Sequence, residues 1–408
     1  MRASVAALYL TRDEEALLEG EGGEPKRIAM EILVALGEAY GADRLIEVRS
    51  AHISGTSYTS CGEAGLDFVR RLASSGARLK PPSTLNPVAI PLNKWRELGF
   101  PSWLAEKQLE LLELYRRMGA AGGFTCHPYL AGNLPSYGDH IAWAESSAIV
   151  FANSVLGARS NREGGLSALA SAIVGKTPLY GYHLDENRGP TIVVDVEAPI
   201  DSDLSLSLLG YHVGREVGEG VPFIRGLPLN VGADGLKLMG ASMATSGSIA
   251  MFHAEGLTPE ARLIEGVEGL ERLQVGEEDL ARALDDLSSS EESVDCVAIG
   301  CPHCSLDELR RVAMIVEGRR LREGVSLWIF TSEAVRRLGE EAGYVQAIEE
   351  AGGHVLTGGC IVHAPLGELG VEVLATNSAK AAHYCSSIHG VEVVLAKLED
   401  CVMMALER

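Results

Sequence analysis

The sequence predicts an α/β protein of several domains, built as doubly wound αβα layers in which helices cover both faces of parallel sheets. Two observations carry that expectation. Over 294–408, short apolar runs alternate with amphipathic segments, and strand and helix taking turns in this way build a parallel sheet. The chain is also 408 residues long and 46% hydrophobic. That length exceeds one core of ordinary size, so two or three packed domains are expected.

The elements follow in order. "EPKRIAMEILVALGEAYG" (24–41) spaces its apolar residues at helical intervals and predicts an amphipathic helix. "RLIEVRSAHISG" (44–55) predicts a strand running into a Gly-rich loop. Further strand and loop units are expected at "AIVFANSVLGARSNREGG" (148–165) and "TIVVDVEAP" (191–199). The acidic, Ser-rich "EEDLARALDDLSSSEESVD" (277–295) suits a linker or an exposed helix before a terminal domain. After it come a buried strand at "VDCVAIG", a helix at "SLDELRRVAMIVEGRRL", a strand at "SLWIF" and a Ser-capped helix at "SEAVRRLGEEAG". "VEVLAT", "SAKAAHYC", "VEVVLA" and "LEDCVMMALE" continue the alternation. Boundaries near 120 and 285 divide the chain into 1–120, 121–285 and 286–408.

Charge narrows the function. A formal net charge of −21 disfavours nucleic acid and anionic membrane surfaces, which require clustered Lys and Arg. An anionic small molecule remains compatible with a few converging basic groups. The N-terminal apolar run turns acidic at Asp13 and shows no cleavage site, so no signal peptide is read. No apolar stretch approaches the roughly 20 residues that span a bilayer. A cytoplasmic protein is expected.

Eight cysteines are few and irregularly spaced, unlike a secreted disulfide framework. Cys296, Cys385 and Cys401 stand among Val, Ala and Met and read as core residues. "CPHC" (301–304) is different, because a strand leads into it and a helix is expected to begin at its second Cys. That setting suits a redox dithiol, and a C-x-x-C pair equally suits a metal site. Cys126 in "GGFTCHPYL" and Cys360 in "LTGGCIVHAP" lie in comparable Gly- and His-flanked loops. Three such thiols could converge on an iron–sulfur cluster with one iron left open, or all could be buried structural residues.

A resemblance bears on this choice. "LLEGEGGEPKRIAMEILVALGEAYGADRLIEVRSAHISGTSY", "PPSTLNP", "GFTCHPYL", "GDHIAWAESSAIVFANSVLGARSNREGG", "AIGCPHCSLDEL" and "NSAKAAHYC" together, and in this order, resemble the aconitase X family. The resemblance covers nearly the whole chain. It implies an aconitase-like multidomain fold around an iron–sulfur site and a hydro-lyase activity. The implied ligands are Cys126, Cys301 and Cys360, holding a 4Fe-4S cluster with one iron not bound by cysteine, with Cys304 a neighbour.

The resemblance further implies a substrate pocket of Gly55, Thr56, Ser57, Asn86, Pro87, Glu145, Ser146 and Lys380. These types suit an anionic hydroxy acid, since Gly admits close backbone approach, Ser and Asn donate, and Lys brings a compact charge. Each also has an ordinary structural use in turns and helix starts, and Glu145 in an apolar segment equally suits a salt bridge. Arg159 and Arg162 rank behind them as anion contacts or solvated loop residues. His52, His127 and His303 stand beside motif residues and are read as hydrogen-bond partners of cluster or substrate, or as structural histidines.

In aconitase-like enzymes a serine on a small swivelling domain acts as the base. No segment here is left for such a domain, so the expected partner is a separate small subunit, forming a heterodimer and carrying the base. The substrate so implied is (R)-5-phosphomevalonate, dehydrated to trans-anhydromevalonate 5-phosphate in isoprenoid biosynthesis. The alternatives are cis-3-hydroxy-L-proline dehydration within the same family, or thiol–disulfide exchange by Cys301 and Cys304.

Overall fold

The structure, a computed structural model, describes residues 8–289 and 293–407. Residues 1–7 of the N-terminal apolar run and 290–292 of the acidic segment lie outside the described residues. The strands fall into three successive groups.

The first group comprises β1 (Leu45–Glu47), β2 (Ala51–Ile53), β3 (Ser83–Leu85), β4 (Ala142–Trp143) and β5 (Lys176–Pro178). β2 is central in a parallel sheet of order β3-β2-β4, and β1 pairs antiparallel with β5. Parallel neighbours need crossovers, and helices Tyr58–Ser74 and Ser102–Met118 lie in the two connections. Residue 120 falls between β3 and β4. The single strand expected at 44–55 is therefore two: the Arg49 N–H turns to the His140 carbonyl at 2.7 Å, and the chain changes partners there. Helix Glu24–Tyr40 forms as expected, burying Ala29, Met30, Leu33 and Gly37.

The unit expected at 148–165 differs more. Ser146–Phe151 is a helix, extended by a wide turn over Ala152–Leu156. Glu145 caps it, accepting from the Ser147 N–H, and Ala148 to Ala152 are all buried. A short run buried on every side carries no period, so strand and helix look alike in sequence.

The second group is β6 (Ile192–Val196), β7 (Pro222–Arg225), β8 (His253–Ala254) and β9 (Glu271–Val275), all parallel in the order β8-β7-β6-β9. Helices Asp203–Val217 and Ala233–Ser246 touch backbone to backbone, since a Cβ at Gly210 would stand 2.1 Å from the Met239 carbonyl.

The third group is β10 (Cys296–Cys304), β11 (Ser326–Thr331), β12 (His354–Thr357), β13 (Val373–Thr376) and β14 (Glu392–Leu395). All are parallel, in the order β12-β11-β10-β13-β14. The chain runs outward from β10 first one way and then the other. The carboxyl ends of β10 and β13 are thus a topological switch point, where open α/β sheets place their ligands. The following helix, Leu306–Val316, opens at a Ser305 cap with a Ser305–Glu308 capping box. Cys304 accordingly ends the strand and does not begin the helix. Strand side chains alternate in direction, and a register shift between Ile299 and Cys304 inverts the order, so Cys296, Ala298 and Cys301 pack into one core and Val297, Ile299 and Cys304 into the other.

Candidate active site

The expected pocket residues gather at the carboxyl ends of β2, β3 and β4. After β2 the chain turns at Gly55, whose φ of 72° is left-handed and suits a residue without Cβ. Thr56 is buried with its hydroxyl turned inward, donating to the Asn86 carbonyl at 3.0 Å, and its own carbonyl accepts from Gln108 Nε2 at 2.7 Å. What this loop presents outward is backbone. Ser57 precedes helix Tyr58–Ser74, its hydroxyl 2.8 Å from that of Thr59.

After β3, Asn86 donates through Nδ2 to Glu145 Oε2 at 2.9 Å, and Pro87 is buried behind it. After β4, Glu145 accepts from the Ser147 hydroxyl at 2.9 Å, while Ser146 begins the helix half-buried. From the third sheet, Lys380 in the first turn of helix Ala379–His389 brings its ammonium to 2.6 Å from Glu145 Oε1, the side chains being 11% and 12% exposed. Burial pushes the Glu145 carboxyl up, but Lys380 and the Ser147 hydroxyl outweigh it and hold it at about 2. The same carboxylate keeps the Lys380 ammonium protonated against its own burial. The pair stays ionised, and it locks the first and third groups of strands together.

Behind Asn86 the polar chain continues. His52, fully buried, meets Asn86 Oδ1 at 3.4 Å and the Thr84 hydroxyl at 2.8 Å, and Asn133 Nδ2 donates to that hydroxyl at 2.9 Å. Burial pushes the His52 imidazole down to about 4, so it is neutral at neutral pH.

The thiols of Cys126, Cys301 and Cys360 come from two loops and the carboxyl end of β10, and each feels the Lys380 charge. Cys126 is 8% and Cys301 6% exposed, and Cys360 is the most accessible of the three. Burial pushes the Cys126 thiol up to about 12 and raises the other two, while the Lys380 charge opposes it at all three. A backbone N–H already faces one of the sulfurs: that of His303 donates to Cys126 Sγ at 3.1 Å. Such a donor matches thiolate sulfur. Among the described residues no three His, Cys, Asp or Glu gather tightly enough to hold one metal ion. An iron–sulfur cluster, whose irons take one thiolate each, asks instead for separated sulfurs, and the donor set fits it.

Cys304 is fully buried in the other core, where burial raises its thiol well above the ordinary value. An exchanging dithiol needs an accessible, acidified cysteine, and Cys301 with Cys304 provides neither accessibility nor a shared side of the strand.

His303, on β10, is the junction of that strand with the two thiol loops. Its Nε2 donates to the Gly359 carbonyl at 2.8 Å, so its Nδ1 accepts from the Thr125 hydroxyl at 3.0 Å. The His127 ring stands edge-on to it at 5.6 Å, with both ring nitrogens lacking a partner. Arg159 and Arg162 do not join this group: Arg159 pairs with Asp185, and Arg162 is exposed, reaching the Ala244 and Gly247 carbonyls.

Two contributors escape motif reading. Lys237, 2% exposed, contacts Glu308, stands 3.1 Å from Asp234 and donates to the His303 carbonyl at 3.2 Å. A lysine inside the apolar helix "LKLMGASMA" carries the same signal as Glu145 in its apolar segment. Asn377, at the end of β13 beside Lys380, is 2% exposed with Oδ1 unpartnered.

Comparison with known proteins follows this geometry. Models of the aconitase X first, second and third domains match residues 7–186, 190–285 and 294–407. The phosphomevalonate dehydratase large subunit of Methanothermobacter thermautotrophicus is 46% identical over 392 residues, covering 96% of this chain and 97% of that protein. The cis-3-hydroxy-L-proline dehydratase of Pseudomonas aeruginosa is 40% identical over 414 residues, covering 99% of this chain but 71% of that protein. The crystal structure of Thermococcus kodakaraensis aconitase X in its holo form superposes with a TM-score of 0.91 at 44% identity, over 98% of this chain and 100% of that one.

Proposed function

The chain belongs to the aconitase X family, and on that premise we propose that it is the large subunit of a hydro-lyase that dehydrates (R)-5-phosphomevalonate to trans-anhydromevalonate 5-phosphate in isoprenoid biosynthesis. One observation carries the reading: the Glu145–Lys380 pair stands beside three thiols from separate segments of the chain, at the carboxyl ends of two parallel sheets. Near-complete, end-to-end similarity to large subunits of that name supports the substrate.

Cys126, Cys301 and Cys360 would hold a 4Fe-4S cluster with one iron free of cysteine. When bound, such a cluster supplies a Lewis acid for the substrate's hydroxyl. The chain's own groups orient the anion. Lys380 offers a positive charge on one side, and the backbone at Gly55 to Ser57 offers N–H donors at the start of a helix. Asn86 and Ser147 fix the Glu145 carboxylate, which fixes Lys380; at about 2, Glu145 is not a proton donor at neutral pH. Dehydration takes a proton from the carbon beside the carboxylate and the hydroxyl from the next carbon, leaving a double bond and water. No group of this chain is assigned as the base. We place it on a small swivelling-domain subunit that covers the side where Gly55, Tyr58, Ser146 and Cys360 keep partial exposure. Trp103, 54% exposed and edge-on to Tyr58, extends that face.

The test is turnover by the anaerobically purified chain, alone and with the small subunit, on (R)-5-phosphomevalonate and cis-3-hydroxy-L-proline. Dehydration of the first only, and only with the partner, is expected. Turnover of hydroxyproline instead would move the chain to the other branch, and full activity alone would remove the second subunit. No described helix is long and apolar enough to cross a membrane.

A further inference from the structure

We propose that His303 is a positioning residue that sets the two thiol loops against the Cys301 strand before any iron arrives. The inference rests on the cluster reading above and concerns what holds its ligands.

The connection is direct at each loop. His303 is two residues beyond Cys301 on the same strand. Its ring reaches the residue before each of the other two thiols, donating from Nε2 to the Gly359 carbonyl at 2.8 Å and accepting at Nδ1 from Thr125 at 3.0 Å. Its main-chain N–H then donates to Cys126 Sγ at 3.1 Å. A carbonyl only accepts, so Nε2 carries the proton and the tautomer is fixed by the loops themselves. His303 is 1% exposed, and an apolar replacement would leave the buried Gly359 carbonyl without its donor and the Thr125 hydroxyl, which still accepts from the His127 N–H at 3.3 Å, without its acceptor, costs that water cannot relieve.

His303 is itself held from behind. Lys237, from the second group of helices, donates to its carbonyl at 3.2 Å and is anchored by Glu308, the capping-box partner of Ser305 in the helix that follows. Thiols from the first and third groups and a brace from the second therefore meet at one residue. Three ligands on separate segments must otherwise be ordered when the cluster binds, and a prearranged set avoids that loss of freedom. Partners that orient metal ligands commonly change retention of the metal by about 10–100-fold. Hydrogen bonds to ligating sulfur also set a cluster's potential, so loosening the His303 N–H from Cys126 should lower it.

The experiment uses the full chain, reconstituted without oxygen with ferrous iron and sulfide, as wild type, His303→Gln, His303→Leu and Thr125→Val. Iron and acid-labile sulfide per chain, the rate of iron loss to a chelator, and the midpoint potential from an EPR-monitored titration are measured. Loss about 10-fold faster or more is expected for His303→Leu, with a lower potential in the fraction still loaded. Thr125→Val should lie between, and His303→Gln, which can still donate and accept, nearer wild type. If His303→Leu does not fold, Thr125→Val decides the question alone. Unchanged iron loss and potential in the folded variants would overturn the positioning role while leaving the cluster reading intact. A wild type that binds no iron would overturn the cluster reading itself.

Discussion

Lys380 Nζ lies 2.6 Å from Glu145 Oε1, although 235 residues separate the two in the chain. The contact ties the end of a strand in the first sheet to the first turn of a helix in the third. It satisfies a carboxylate and an ammonium that would each be costly to bury alone.

Removing one partner therefore strands the other. Glu145→Gln and Lys380→Met should each destabilise the protein, and the double variant should lose less than the sum of the two. For residues in contact a coupling of about 0.5–3 kcal/mol is expected, at the lower part of that range because both side chains keep some exposure. Urea unfolding of the four proteins measures it; strict additivity would mean that the pair does not act as a unit.

The substrate loop depends on a small residue beneath it. A Cβ at Gly165 would stand 2.6 Å from the Ser54 carbonyl, so Gly165→Ala must displace the turn at Gly55. We expect KM to rise about tenfold, equivalent to about 1.4 kcal/mol, with cluster content unchanged. Steady-state kinetics beside an iron determination would show it; an unaltered KM would remove that turn from the binding surface.

The buried cation of the second group makes a sharper case. Burial works to deprotonate Lys237, but Glu308 and Asp234 keep it charged. Lys237→Met leaves Glu308 buried without its partner, a change that typically costs about 3–5 kcal/mol. Lys237→Met with Glu308→Leu should recover most of that loss in urea midpoints. No recovery would place the cost in packing.

Acid should weaken the N-terminal helix before the centre of the molecule. Glu14 is the capping-box partner of Thr11, whose N–H donates to it at 2.8 Å, and it takes Lys176 Nζ at 2.6 Å. Burial pushes the Glu14 carboxyl up, but the Lys176 and Thr11 hydrogen bonds bring it below its ordinary value. A group depressed on folding contributes above its unfolded pKa of about 4.3 and loses that contribution as pH falls through the folded value. Wild type should exceed Glu14→Gln by about 1 kcal/mol at neutral pH, and the gap should close below about pH 4. A gap constant from pH 7 to 3 would contradict this.

Trp103→Asp tests the covered face. A large aromatic at an interface centre commonly carries about 2 kcal/mol or more of binding. The variant should bind the small subunit more weakly while keeping its iron. Undiminished association would send the partner to another face.

Much of this was legible in the residues, and the exceptions have physical reasons. "VDCVAIG" and "SLWIF" are buried on both faces, and such runs between amphipathic helices announce a parallel sheet without any partner being known. Ser305 and Ser332 announce helix starts through their own hydroxyls. The run at 148–152 failed because burial on all sides erases the period that separates helix from strand. Cys304 looks like a helix start in sequence, but the strand runs four residues past Gly300 to Cys304 and the helix waits for the Ser305 cap. Lys237, Gln108 and Thr84 answer to partners dozens of residues away, and no local pattern encodes that. His303 was visible only as a histidine near a thiol; its reach to Thr125 and Gly359 is a property of the assembled sheets.

The three thiols do not belong to one stretch of chain. As the polypeptide leaves the ribosome, the first two groups of strands bring out Cys126 and Glu145 but not Cys301, Cys360 or Lys380. A nascent chain lacking the last group thus offers one of the three thiols, and a Glu145 carboxylate held by Asn86 and Ser147 without its ammonium. The three thiols can therefore meet only once the third group of strands has been made and folded.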